Sequence, residues 1–507
     1  MKKYRVIEGL TGILEIKDEK NNVNIYRPDC DLDKAQELLY EFYELKTING
    51  NKVKDSFQYN GVNWFPTSVS MLYWQYFYQV VKYKSLLKSL LKGDADYIIK
   101  KPGKFRNLIV LFKSVKEKKS FLPLWLFLRH LYHFFIQLRN KYLIKKNGDI
   151  LFFRYGIDDF RTQELFDKIK KSNEILQIAH VPINNLYKNF FKSNIYILCS
   201  DRPNNFFKIE LLNKNNDIFN TAIQYVNNII NTNITNYFSH KNLFDKLNYK
   251  IFFGIDDTNI VYPILYAAKD VGIKSLGFQH GVYAKRHVPF FMNHINKYQW
   301  YDKILLWGEY WKKVACRNTT LFPSDYYYIA SNKHYYDYQK VTSKDHNKSI
   351  LIPYEFLTDT IMVGNYIKIF LKKGYDVFFK IRSDEKIYSQ LSAYYIDDLI
   401  DKVKLVKEIN PKIMSKIDII AGTQTTLLYD LLPYNKPIWI LDTPFRLLHD
   451  MVEDGLARLI TMKDLINLEK IYMSDKNSYK NIQRSYFSGN LPIEKALSDY
   501  LQTGKIN

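Results

Sequence analysis

Gln279-His280-Gly281 closes a short apolar run, Lys274 to Phe278, and Lys285 and Arg286 follow closely behind it. A histidine at such a point can donate to a phosphate or take a proton as a general base. Gly281 admits positive φ or close backbone approach to a ligand. Gln279, Gly281, Lys285 and Arg286 then stand as contacts for an acceptor or a phosphate. Asp256 and Asp257 end a second apolar run and precede a helical segment. Asp257 reads either as a helix N-cap or, with Asp256, as a choice of base for an acceptor hydroxyl.

Two more stretches lie further on. Lys380-Ile381-Arg382-Ser383-Asp384-Glu385 follows an apolar run. There the Arg382 fork or the Lys380 ammonium suits diphosphate oxygens, unless the stretch is a surface charge cluster. Ala421-Gly422-Thr423-Gln424-Thr425-Thr426 leads from an apolar run into a helical segment. Orphan N–H groups at a helix start make a phosphate cradle. The stretch is neither a GxGxxG nor a P-loop, which argues against a dinucleotide or an ATP γ-phosphate. Asp430 follows within reach of ribose or sugar hydroxyls.

All four stretches sit at the ends of apolar runs, so the elements behind them matter. From about residue 147 short apolar runs alternate with helical stretches: 149–154, 194–199, 249–254, 274–278 and 302–307 read as strands, 162–171 and 258–271 as helices. Tyr326 to Asp345 is polar and tyrosine-rich, as a linker would be. The alternation restarts with strands at 349–353, 376–381 and 417–421, helices at 360–373 and 425–432, and a strand at 437–441. Such βα alternation predicts parallel sheets covered by helices. The expected organisation is an accessory region over 1–146, mainly helical, then Rossmann-like domains over 147–340 and 341–507.

Composition narrows the class. The chain has 507 residues, 47% hydrophobic and 16% aromatic, enough for several cores, with three scattered cysteines that suit a reducing compartment and neither a disulfide framework nor a zinc site. No apolar h-region follows the N-terminal charges, so the expectation is a cytoplasmic protein. Of the net charge of +22, an excess of 14 lies between Lys82 and Lys146. Inside that block, Phe121 to Ile136 is too short and too interrupted to span a bilayer. Arg129, His133 and Gln137 would form one polar stripe on a helix, the pattern of a segment lying in anionic headgroups. The expectation is peripheral attachment to the inner face of the cell membrane. No motif supports nucleic acid as a partner.

The order of these motifs (AAK before QHG, a strand ending in Trp307-Gly308, a Lys-x-Arg turn, then DIIAGTQTTLLYDLLPYNKPIWIL) resembles bacterial surface-polysaccharide glycosyltransferases of the GT-B superfamily, over about residues 250–445. The resemblance implies an α/β GT-B fold, two Rossmann-like domains facing a cleft, and transfer of a sugar from a nucleotide-activated donor to a cell-surface polysaccharide or lipid-linked glycan. It implies that Gly422, Thr423, Gln424, Thr425 and Thr426 hold the donor phosphate. It also implies that Arg382, Lys380, Glu355 and Asp430 line the donor site and that His280, Asp256 or Asp257 acts as the base. No metal or other cofactor is implied; Asp29-Cys30-Asp31 and Asp94-Ala95-Asp96, the DxD triplets, lie outside the βα core. The alternatives are a polyol-phosphate transferase using a CDP-linked donor, a sugar-nucleotide 2-epimerase, and a non-catalytic membrane scaffold on a degenerate transferase fold.

Overall fold

The computed structural model describes residues 2–8, 13–99, 103–117, 123–199, 203–256, 260–279, 281–284, 300–319, 322–331, 348–355, 358–382, 387–475, 489 and 491–504. The chain forms two compact units, each assembled from several segments. One comprises Met1–Tyr40, Tyr73–Phe112 and Tyr335–Arg484; the other comprises Glu41–Leu72, Lys113–His334 and Ser485–Asn507. The first 146 residues are thus divided between the two units. They are mainly helical, as expected, and also carry a sheet. Lys2–Glu8, Leu14–Lys17, Val23–Tyr26 and Ala95–Ile99 form a four-stranded sheet in the first of these units. The signal was the period-2 alternation of Leu14-Glu15-Ile16-Lys17, buried at Leu14 and Ile16.

The unit that begins at Glu41 is built on a seven-stranded parallel sheet. Its strands are β1 (Ile150–Gly156), β2 (Ile175–His180), β3 (Ile195–Ile197), β4 (Ile251–Ile255), β5 (Lys274–Phe278), β6 (Lys303–Leu306) and β7 (Tyr327–Ile329), in the order β7-β6-β5-β4-β1-β2-β3. The other unit holds a six-stranded parallel sheet. Its strands are β8 (Ser349–Pro353), β9 (Asp376–Lys380), β10 (Val403–Val406), β11 (Ile419–Gly422), β12 (Ile438–Leu441) and β13 (Arg458–Ile460), in the order β10-β9-β8-β11-β12-β13. Each contains the 3-2-1-4-5-6 order of a Rossmann sheet. The fold class is therefore α/β with two Rossmann-type sheets, the complement of a GT-B protein. β4 and β8 are buried at every residue, as expected when helices cover both faces of a parallel sheet.

Register is fixed at the amino edge of both sheets by the same reciprocal pair. Ser275 N donates to Asp302 Oδ2 at 2.7 Å and Asp302 N to Ser275 Oγ at 3.0 Å. In the second sheet Ser349 N donates to Asp418 Oδ2 and Asp418 N to Ser349 Oγ, both at 3.0 Å. Close packing then aligns the middle of the first sheet. Gly254 and Gly277 are register partners, and the Tyr301 ring lies against both; a Cβ at Gly277 would stand 2.7 Å from that ring and 2.4 Å from Ile304 Cδ1.

Two elements differ from expectation. The supposed linker from Tyr326 to Asp345 opens with the edge strand β7, and residues 332–347 lie outside the described residues. The helix expected over 425–432 is only Leu427–Asp430, followed by a 3-10 turn at Leu432–Tyr434, because Pro433 supplies no N–H to continue it. The 28-residue helix Asp217–Phe244 has no counterpart in the sequence reading. Its Asn227 and Asn231 each pair both side-chain atoms with the backbone of Ile209 and Phe207 respectively. Four helical residues rise about 6 Å and two extended residues about 6.6 Å, so the asparagines read an extended segment as a strand would.

On that helix His240 is buried, and its Nδ1 meets the Tyr196 hydroxyl at 2.6 Å. Burial draws its pKa down to about 3. The native state therefore excludes a proton that the unfolded chain takes up below about pH 6.5. The stability that this exclusion contributes is complete above that value and is lost as pH falls toward 3. Urea midpoints measured from pH 7 to pH 4 should show a decline that His240→Gln largely removes. A variant declining in parallel with the parent would show that other groups set the acid limit.

Candidate functional site

In a Rossmann sheet ligands bind beyond the carboxyl ends of the strands, where the strand order reverses. Here those points are the β1/β4 pair of one unit and the β8/β11 pair of the other.

At the β8/β11 point the chain runs from β8 through Tyr354 to Glu355, and from β11 into Thr423. The Glu355 side chain is buried and turns into the start of the β11 turn. Thr423 N and Thr423 Oγ1 donate to its Oε2 at 2.8 and 2.7 Å; Gln424 N and Thr425 N donate to its Oε1 at 2.7 and 2.8 Å. Gly422 makes room, since a Cβ there would stand 3.1 Å from Glu355 Oε1. The Glu355 backbone is clamped in turn. Its N–H donates to Tyr394 Oη at 2.6 Å, and that hydroxyl donates to its carbonyl at 2.7 Å. Tyr394 packs so closely on the helix Thr360–Lys372 that a Cβ at Gly364 would meet its carbonyl oxygen at 2.0 Å. Burial raises the Glu355 pKa against the four donors, which pull it down.

The amides expected to cradle a donor phosphate thus already hold an anion, one supplied by the chain itself. This is the principal departure from the sequence reading. Sequence spacing gave no sign of it, because the carboxylate and its donors are 68 to 70 residues apart.

The remaining donor-site candidates gather around this point. Lys380 ends β9 and is the register partner of Pro353. Burial draws its pKa down, with Glu408 opposing and Arg382 adding to the effect. Its Nζ donates to the Ile381 carbonyl at 2.7 Å. Arg382 follows on the same edge, its backbone held on both sides by the buried Gln390 amide, at 2.8 and 2.9 Å. Asp430 ends the short helix after the turn. Ser383, Asp384 and Glu385 lie outside the described residues.

In the other unit His280, Asp257, Lys285 and Arg286 lie outside the described residues, while Asp256, Gln279 and Gly281 are described. Asp256, at the end of β4, is buried and accepts a hydrogen bond from the buried Tyr283 hydroxyl. Desolvation, and then the Asp256 charge, push the Tyr283 pKa well above the usual tyrosine range. Tyr301 donates to the Ile255 carbonyl next to it at 2.8 Å. Gln279 is fully buried; its Nε2 donates to the Gly281 carbonyl at 2.8 Å and its Oε1 accepts from Trp307 N at 3.0 Å. Asp256 thus engages the Tyr283 side chain, and Gln279 the Gly281 and Trp307 backbone. Gly281 is outside the positive-φ region, and among the described residues no atom other than those of its chain neighbours lies within 4 Å of where its Cβ would stand.

The structure adds groups that the sequence reading passed over. A cavity of about 600 Å³ opens at the ends of β1 and β2, lined among others by Tyr155, Gly156, Asp158, Asp159 and His180. His180 is exposed at the rim of this cavity, and partial desolvation there draws its pKa down. Asp158 accepts from Asn185 Nδ2 at 3.1 Å. A signal was present: Gly-Ile-Asp-Asp occurs twice, at 156–159 and 254–257, each time where an apolar strand ends. Among the described residues no group of three or more His, Cys, Asp or Glu is placed to hold a metal ion, and no helix is long and apolar enough to cross a membrane.

No protein-family model and no curated protein matches the chain. Solved structures with a similar course include MurG from Acinetobacter baumannii, 14% identical over 71% of this chain and 98% of that one, with a TM-score of 0.41. The calicheamicin glycosyltransferase CalG4 is 9% identical over 71% and 99%, TM-score 0.44. The wall teichoic acid polymerase TagF is 13% identical over 78% and 96%, TM-score 0.37.

Removing the Glu355 carboxylate should leave the Thr423, Gln424 and Thr425 amides without an acceptor. Glu355→Ala is expected to lose at least about 2 kcal/mol, the scale of a buried donor set stripped of a charged acceptor. Glu355→Gln should fall between, since its NH2 faces one of the donors. Urea unfolding of the three proteins measures this, and an Ala variant as stable as the parent would mean that the turn holds itself.

Proposed function

We propose that this chain is a glycosyltransferase that moves a sugar from a nucleotide-activated donor to a growing cell-surface polysaccharide or lipid-linked glycan at the cytoplasmic face of the membrane. The observation that carries the reading is the second Rossmann sheet, whose carboxyl edge brings Lys380, Arg382, Glu355 and the Gly422–Thr426 turn to one switch point. The two cations would meet the donor's phosphates. Cations in this position replace the metal that other nucleotide-sugar chemistry uses, by neutralising the charge that develops on the leaving group.

The transfer breaks the bond between the anomeric carbon and the donor phosphate oxygen and forms one to the acceptor oxygen. The acceptor's hydroxyl proton passes to a base. His280 remains the first candidate for that base, with Asp257; Asp256, already engaged by Tyr283, is better suited to positioning. His180 joins the candidates through its lowered pKa and its place on the cavity wall.

The test is nucleotide release from a panel of CMP-, UDP- and GDP-sugars, with a CDP-linked polyol included. One donor class is expected to turn over. Arg382→Ala should weaken its binding roughly tenfold to a hundredfold, the worth of one charge-assisted contact. Turnover of the CDP-linked polyol alone would move the assignment to a polyol-phosphate transferase. No release and no thermal shift with any nucleotide would leave a non-catalytic scaffold. Full turnover by His280→Ala would pass the base to another residue.

A further inference from the structure

The helix Pro123–Leu143 has its last turns docked on the edge of the seven-stranded sheet. Ile136 packs with Val181, Ile195 and Ile197. The buried Arg139 guanidinium donates to the carbonyls of Asn189, Phe190, Lys192 and Ile195. Asn140 pairs with both the N–H and the carbonyl of Ile197. One side of the helix is therefore committed to the fold.

The opposite side is apolar and bare. Phe134, Leu138 and Tyr142 recur at i, i+4 and i+8, with Phe135 beside them, and they are 57%, 41%, 65% and 53% exposed. That spacing puts all four on one stripe. The loop whose carbonyls Arg139 holds carries Phe191, 81% exposed, and one turn earlier Tyr187 is 70% exposed. Single exposed aromatics are ordinary; five aromatics and a leucine on two elements pinned together by one buried arginine are more apolar surface than a soluble protein usually leaves open.

Charge identifies the occupant. Residues 118–148 and 175–200 contain no Asp or Glu at all. Lys141 lies 5.2 Å from the centroid of the Tyr142 ring and Lys188 5.5 Å from that of Tyr187, so cations accompany the aromatics. Aromatic rings sit well at the boundary between headgroups and acyl chains, while lysine stems lie along apolar surface and carry their charge to the phosphates.

The geometry points to this face, Phe134–Phe135–Leu138–Tyr142 with Tyr187 and Phe191, as a docking surface for an anionic lipid bilayer. The inference rests on the membrane location in the proposed function and gives it a specific surface. It also moves the point of attachment from the start of the helix toward its C-terminal turns.

The experiment is co-sedimentation of the full chain with vesicles of phosphatidylcholine alone and of phosphatidylcholine mixed with phosphatidylglycerol. The parent should bind the mixed vesicles and lose binding as salt rises. The double variant Phe134→Ser/Phe135→Ser should bind at least about a hundredfold more weakly, the loss of two buried phenyl rings costing about 3 kcal/mol or more. Lys141→Gln and Lys188→Gln should each weaken binding roughly fivefold, at about 1 kcal/mol per surface charge. Unchanged binding by the serine variant, or equal binding to both vesicle types, overturns the proposal. So does sedimentation equilibrium showing that the parent self-associates through this face and ignores vesicles. Thermal shift with the nucleotide panel on the same variants separates the two ideas. Lost vesicle binding with an intact shift isolates the surface, and an absent shift with intact vesicle binding removes the transferase reading alone.

Discussion

A carboxylate held by backbone amides organises the working edge of the second Rossmann sheet. β8 and β11 are neighbours whose ends would diverge beyond the sheet, and Glu355 ties them together with four hydrogen bonds just where the strand order reverses. The constraint propagates outward. A Cβ at Gly422 would press on the carboxylate, Tyr394 grips the Glu355 backbone, and Gly364 has to lack a side chain where the Tyr394 carbonyl packs. Charge-assisted hydrogen bonds of this kind are stronger than neutral ones, and buried amides without partners are costly. The turn is consequently built around its own anion.

The same device appears at the amino-terminal sheet of that unit. Strand Lys2–Glu8 ends in a carboxylate that accepts from the N–H groups of Lys104 and Phe105, at the start of the helix Lys104–Glu117. Gly103 is again the residue that gives way, since a Cβ there would overlap Glu8 Oε2. In both places a strand-terminal glutamate neutralises the positive end of a helical turn from another part of the chain. The other unit solves its corresponding problem differently. Tyr283 meets Asp256, and Gln279 bridges to Gly281 and Trp307, so that hydroxyl and amide groups take the place of a carboxylate–amide nest.

Much of this architecture can be read in the sequence, and the part that cannot has a common cause. Fully buried strands such as Ile251–Ile255 and Ser349–Pro353 announce themselves as continuous apolar runs, and their alternation with helices gives the fold class. β2 escapes because Gln177 and His180 interrupt it, and β7 because its tyrosines resemble a polar linker. The residues of the second site were found where they are, at the strand ends. Their partnerships were not, because Glu355 and Thr423, or Asp256 and Tyr283, meet only through sheet pairing and loop return. Local pattern reports which face a residue shows, whereas which residue it meets belongs to topology.

That difference bears on how the switch point would treat a nucleotide. An empty amide nest attracts phosphate by itself. This one presents amides whose positive ends are already answered, with a buried carboxylate among them. A diphosphate approaching it gains little from the turn and meets an anion underneath, so the attraction has to come from elsewhere on the edge. The cations of β9 could supply it: Lys380 and Arg382 stand one strand away from Glu355, burial and then the neighbouring Arg382 draw the Lys380 pKa down against Glu408, and the Arg382 backbone is fixed through the buried Gln390. An anion added beside Lys380 would favour its charged form, which burial and Arg382 disfavour. The site then makes sense as a pair of opposed halves. The glutamate shapes the turn, and Lys380 and Arg382 carry the positive charge at the end of the neighbouring strand.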